Sequence, residues 1–171
     1  IARLARDTAA VNVLPMAALT KGLEGREMTE FGLLGAAGAV GFTDGRHSIT
    51  NALVLRRALT YARDFGALIM HHPADPDLVG SGVMNEGETA TRLGLPGIPR
   101  EAEIIMLERD IRIAALTGGR YHAAQISCAA SLDIIRRAKK QGLAVSCGVS
   151  ATHLALNERD VGPYRTFYRL A

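Results

Sequence analysis

Apolar and polar positions alternate along this chain in two rhythms. Short runs that are apolar on both sides read as buried strands: VNVLPMA (11–17), GAVGFTD (38–44), ALIMHH (67–72), YHAAQIS (121–127) and LAVSCGVS (143–150). Between them lie longer stretches with helical spacing, from about Gly25 to Ala37, from Asn51 to Phe65, from near Pro99 onward, and from Ala129 to Gln141. Gly38, Gly66, Gly118 and Gly142 each follow a helical stretch and precede a strand, where a left-handed C-cap is expected. Crossovers of this length join parallel strands, so the pattern predicts an α/β fold with a parallel sheet covered by helices.

One long irregular segment breaks the rhythm, HPADPDLVGSGVMNEGETATRLGLPGIP, rich in Gly and Pro. It follows a strand's C-terminal end, where α/β folds bind their ligands, and loops of this length are usually functional. No GxGxxG or GxxxxGK[ST] accompanies it, so a nucleotide-binding sheet would lack its phosphate loop.

Composition narrows the class. With 48% hydrophobic and 22% charged residues over 171 positions, the chain has enough apolar material for one packed domain. Its net charge of +3 arises from 20 basic and 17 acidic residues that are interleaved, so no nucleic-acid partner is expected. No apolar run approaches a membrane span and the N-terminus lacks a signal-peptide layout, which predicts a cytoplasmic protein with no membrane partner. Cys128 and Cys147 lack CxxC spacing and read as free thiols. A start without Met inside the helical pattern IARLARD and a stop at YRLA suggest a segment of a longer domain.

The strand ends carry a polar rim: Asp44, then His71 and His72, then His122, Gln125 and Ser127, then Ser150, Thr152 and His153. Carboxylates and imidazoles converging from several strand ends suit a catalytic divalent metal. The plainer alternatives are a hydrogen-bonded strand-terminal histidine at His71 or His72, a turn cap at Asp44 with Gly45, and a helix cap at His153. Because successive strand residues face opposite ways, His71 and His72 do not both face one side. By the same count Gln125 and Ser127 share a face, and if that face is the interior, His122 points into the helix shell as a structural residue.

The stretch VMNEGETATRLGLPGIPREAEIIMLERDIRIAALTGGRYH is similar nearly throughout to the corresponding stretch of dihydroorotases. KGLEG (21–25), GAVGFTDG (38–45), HPADPDL (72–78) and THL (152–154) fall in family order. This resemblance implies a partial TIM (β/α)8 barrel of the amidohydrolase type, roughly strands three to seven, with residues 1–171 forming a segment of a single barrel domain. It also implies a zinc-dependent hydrolase of pyrimidine biosynthesis that interconverts dihydroorotate and N-carbamoyl-aspartate.

By the resemblance, Asp44 matches the fourth-strand metal ligand, although the family commonly has two consecutive acidic residues there. His72 matches the fifth-strand histidine, and the two are expected close together at the C-terminal rim. The sixth strand of the family reads His-x-x-His-x-Ser, and here Gln125 stands at the second histidine. Gly148 replaces a glutamate, and Ser150-Ala151-Thr152-His153 replaces Thr-Pro-His-His. The first-strand His-x-His pair, its neighbouring arginine and the eighth-strand aspartate have no match in this chain, so zinc is expected to be absent or weakly bound. The resemblance implies a small cyclic amide substrate and a homo-oligomer or a pathway enzyme as partner. Its alternatives are a non-catalytic subunit that stabilises a partner such as aspartate carbamoyltransferase, and an amidase acting on hydantoin or allantoin.

Overall fold

A computed structural model describes residues 1–165. Its elements in order are α1 (Ala2–Thr8), a 3-10 turn (Lys21–Leu23), α2 (Phe31–Ala36), α3 (Ala52–Asp64), β1 (Leu68–His71), α4 (Pro76–Val79), β2 (Met84–Asn85), α5 (Glu88–Leu93) and β3 (Gly97–Ile98). There follow α6 (Glu101–Thr117), β4 (Arg120–Ala123), α7 (Ala129–Lys140), β5 (Val145–Cys147), α8 (Ala151–Ala155) and a second 3-10 turn (Glu158–Val161).

The parallel sheet expected from the sequence is present. β1 pairs with β4 and β4 with β5, all parallel, with Ile69 opposite Tyr121 and His122 opposite Ser146. Parallel bridges from Ala17 to Phe42 and from Phe42 to Ile69 extend the order by two single-residue contacts. The segments at 11–17 and 38–44 therefore run beside the sheet in the expected sequence, joined by backbone hydrogen bonds such as Val40 N–H to Pro15 O at 3.0 Å and Phe42 N–H to Leu68 O at 2.9 Å. Val11 and Leu14 are exposed, so in the first of them little apolar burial holds an extended strand.

Each long helix forms for a legible reason. Asn51 caps α3 by accepting from the backbone N–H of Leu53 and Val54, and Val54, Leu55, Ala58, Leu59 and Ala62 form its buried stripe. In α6 the stripe runs through Met106, Leu107, Ile111 and Ala114, and in α7 through Ile134, Ile135 and Ala138. Gly38, Gly66, Gly118 and Gly142 all have positive φ, as the predicted caps require. These stripes meet Ile69, Tyr121, Ala123 and Val145 of the sheet in one core, and Phe31 of α2 stacks on Phe42 with ring centroids 4.1 Å apart.

Two expectations change. The helix predicted from Gly25 to Ala37 is confined to Phe31–Ala36, because the preceding residues turn at Lys21–Leu23 and Gly25 adopts a left-handed φ of 68°. The segment after β1 is not wholly irregular: it folds into α4, α5 and the parallel pair β2 and β3. The terminal YRLA lies outside the described residues.

Candidate functional site

In a parallel sheet all strand C-termini lie at one edge, and that edge collects the polar rim. Pleating sorts its side chains. Ile69, Tyr121, Ala123 and Val145 lie in the core with the helices, so Met70, His122 and Ser146 face the opposite side.

His71 shares the helix-facing side and is 1% exposed. Its Nδ1 lies 2.6 Å from Asp110 Oδ2 on α6, and its Nε2 accepts the Ile49 backbone N–H at 2.7 Å. Both ring nitrogens are thus committed within the protein. Of the two readings the sequence leaves open for this residue, a hydrogen-bonded strand-terminal histidine is the one found.

His72 is different. It is half-buried and makes no side-chain hydrogen bond among the described residues, while its backbone carbonyl accepts from Ser48 Oγ at 2.7 Å and from Ala74 N–H at 3.0 Å. Burial first, then the electrostatic influence of the neighbouring His71 and Arg46, holds its imidazole below the ordinary 6.5, with Glu103 opposing. The shift favours the uncharged ring, the form that ligates metals or accepts protons.

Asp44, 3% exposed, leaves the same edge, since the Phe42–Ile69 bridge sets it level with His71. Its Oδ1 accepts from the N–H groups of Leu19 at 2.9 Å and Thr20 at 2.8 Å, and its Oδ2 accepts from Thr20 Oγ1. Thr20 Oγ1 in turn accepts from Gly25 N–H at 2.9 Å. The carboxylate thereby ties the KGLEG loop to the sheet. Three of its roughly four acceptor positions are occupied.

The strand-face count made at the sixth family strand needs correction. β4 ends at Ala123, so alternation cannot be carried on to Gln125 and Ser127. His122 does not enter the helix shell: Tyr121 and Ala123 do, and His122 Nδ1 lies 2.7 Å from Ser146 Oγ on the other face. Burial lowers the His122 pKa from 6.5. Gln125 Nε2 lies 3.2 Å from His153 Nδ1, which also lies 2.7 Å from Ser150 Oγ. Ser150, not His153, is the cap of α8. Ser127 turns to α6, its Oγ donating to Glu103 at 2.6 Å and its N–H at 2.9 Å.

Gly148 adds a steric fact. A Cβ there would sit 2.6 Å from the Ala124 carbonyl oxygen, closer than real contacts allow. The backbone just before Gln125 thus fills the space that a side chain at 148 would need. Gln125 and Gly148, remote in sequence, thus lie at one tightly packed β4–β5 rim.

A catalytic zinc usually takes three protein ligands. Here His72 offers a free imidazole, Asp44 one remaining acceptor position, and Gln125 a neutral amide engaged with His153. Among the described residues no three His, Cys, Asp or Glu side chains gather closely enough to hold an ion. The donor set of this chain does not fit a zinc centre by itself.

Asp110, Arg109 and Glu103 were not singled out by sequence reasoning. Asp110 did leave a signal, a carboxylate on the apolar stripe between Leu107 and Ile111. No helix among the described residues is long and apolar enough to cross a membrane.

A sequence profile of the family described as dihydro-orotase-like matches residues 1–131. The chain is 46% identical over 171 residues to a dihydroorotase of Anaeromyxobacter sp. (strain K), covering 98% of this chain and 40% of that protein. It is 40% identical over 166 residues to a dihydroorotase of Syntrophobacter fumaroxidans, covering 97% and 38%. The chain thus spans about 40% of the length of these relatives. Among solved structures it is similar to D-hydantoinase from Bacillus sp. AR9, with TM-score 0.62 and 20% identity over 76% of this chain and 30% of that one. L-hydantoinase from Arthrobacter aurescens gives TM-score 0.63 at 19% identity over 77% and 32%. These likenesses show the fold: the parallel sheet and its helices correspond to part of a TIM barrel.

Proposed function

This chain belongs to the dihydro-orotase-like family, and from that premise we propose that it serves in opening the ring of dihydroorotate to N-carbamoyl-aspartate, in pyrimidine biosynthesis in the cytoplasm. Water adds its oxygen to the ring acyl carbon, the C–N bond breaks, and the released nitrogen takes the proton. The observation that supports this reading most is the 46% identity to a dihydroorotase across 98% of the chain. His72 agrees with it, a strand-end imidazole whose pKa is lowered by burial and which makes no side-chain hydrogen bond among the described residues. Zinc is the family's cofactor in this proposal, but the residues found here do not complete a site for it. The task assigned to this chain's own groups is to present His72 and to line the strand-end face with His122 and Ser146. A homo-oligomer is the partner state proposed.

A second reading is favoured by one observation, the engagement of Gln125 with His153 beside the tightly packed Gly148. It makes the protein a non-catalytic subunit that stabilises a pathway enzyme such as aspartate carbamoyltransferase.

The complete protein and its Gln125→His variant separate the two. Under the leading reading the parent forms N-carbamoyl-aspartate at a rate on the order of 1 per second or more and retains zinc on dialysis. A parent that does neither, with a variant that gains zinc, would transfer the assignment to the second.

A further inference from the structure

We propose that Asp110 is a positioning residue: through His71 it fixes the loop that holds the His72 backbone. The Ile49 N–H points at His71 Nε2 from 2.7 Å, so that nitrogen must carry a lone pair. The ring proton therefore sits on Nδ1 and is donated to Asp110 Oδ2 at 2.6 Å. A ring free in water favours the opposite tautomer, so the carboxylate selects this one.

Asp110 is itself held without freedom to turn. Tyr121 Oη donates to Oδ2 at 2.8 Å, and Arg109 donates to Oδ1 through Nε at 2.9 Å and Nη2 at 2.7 Å. Asp110 is fully buried, and no buried side-chain N or O among the described residues lacks a partner. Arg109 also reaches the loop, donating from Nη2 to Ile49 O at 2.7 Å and from Nη1 to Thr50 O at 2.8 Å. Ile49 is thus gripped at both its N–H and its C=O by one network rooted in α6.

The neighbouring residue completes the device. Ser48 Oγ donates to the His72 carbonyl at 2.7 Å and accepts from Ala74 N–H at 3.3 Å. Two consecutive loop residues, Ser48 and Ile49, therefore clip two consecutive strand-end residues, His72 and His71. A polar network of this kind is costly if any member is left unsatisfied, which makes it a stiff mount for the His72 imidazole. That His72 is the group worth mounting rests on the proposed function; the clip and its tautomer do not.

The test uses the complete protein labelled with 15N-histidine. In the parent, His71 is expected as the Nδ1–H tautomer, whatever the protein's activity; the Nε2–H tautomer would overturn the proposal. His71→Gln keeps an acceptor for Ile49 N–H, whereas His71→Asn keeps a donor to Asp110 and loses that acceptor. Amide exchange at Ile49 should rise at least tenfold in His71→Asn, with the His72 ring signals moving, and stay near the parent value in His71→Gln. Equal exchange in the two variants with unmoved His72 signals also overturns it. Ser48→Ala, at a half-buried position, decides if His71→Asn does not fold: His72 signals should move while Ile49 stays protected, and unmoved signals sink the clip.

Discussion

Replacing Tyr121 by Phe should change how stability depends on alkaline pH, and the size of the change follows from the structure. The phenol is fully buried and donates to Asp110 Oδ2 at 2.8 Å. Burial first, then the adjacent Asp110 charge and the hydrogen bond to it, push its pKa well above the ordinary 10.0. Above pH 10 the unfolded chain releases the tyrosine proton while the folded chain keeps it, so the folded state binds one more proton. Stability from this group is complete below pH 10 and is lost as pH rises toward the folded value, at about 1.4 kcal/mol per pH unit. Tyr121→Phe removes that slope and also a hydrogen bond to a carboxylate, worth about 1.5–3 kcal/mol. Urea unfolding of both proteins at neutral pH and at steps between pH 10 and 11 measures both effects. The variant should be less stable at neutral pH, with the gap closing by about 1 kcal/mol over that unit, because the unfolded phenol is only half ionised at pH 10. A gap that stays constant would refute the buried, protonated phenol.

Three further outcomes are expected. Asp44→Ala strands the buried N–H groups of Leu19 and Thr20 and should cost roughly 3 kcal/mol in denaturant unfolding; a loss below the error of the titration would show that this carboxylate does not tie the loop. Gly148→Ala sets a Cβ 2.6 Å from Ala124 O and should cost about 1–3 kcal/mol, while unchanged stability would mean that the β4–β5 rim is looser than described. The His72 ring, followed by NMR in metal-free protein, should titrate with a midpoint below 6.5. Its contribution to stability is then present above 6.5 and lost as pH falls through the folded midpoint, and a midpoint above 6.5 would contradict its burial.

Periodicity made the architecture legible where apolar burial decides the conformation. α3, α6 and α7 lie where their stripes and terminal glycines place them, and the parallel strand order follows from the crossovers. It failed where other forces decide. The segment around Gly25 has helical composition but turns on left-handed backbone, and β4 is shorter than its apolar run because the chain bends at Ala124, after which the Gln125 side chain reaches His153 of α8. The site was legible in part. His72 and Gln125 were marked by family resemblance, and the register sets Asp44 at the same edge. The partners of Asp44, and the Asp110 network behind His71, arise from residues far apart in sequence, for which one chain carries no pairing signal beyond a carboxylate on an apolar stripe.

For the proposal that this chain serves dihydroorotate hydrolysis, the decisive measurement is steady-state turnover by the complete protein, with hydantoin as the comparison ring. N-carbamoyl-aspartate should form on the order of 1 per second or faster, with kcat/KM higher for dihydroorotate than for hydantoin. Failure to open dihydroorotate, or a preference for hydantoin, would contradict it.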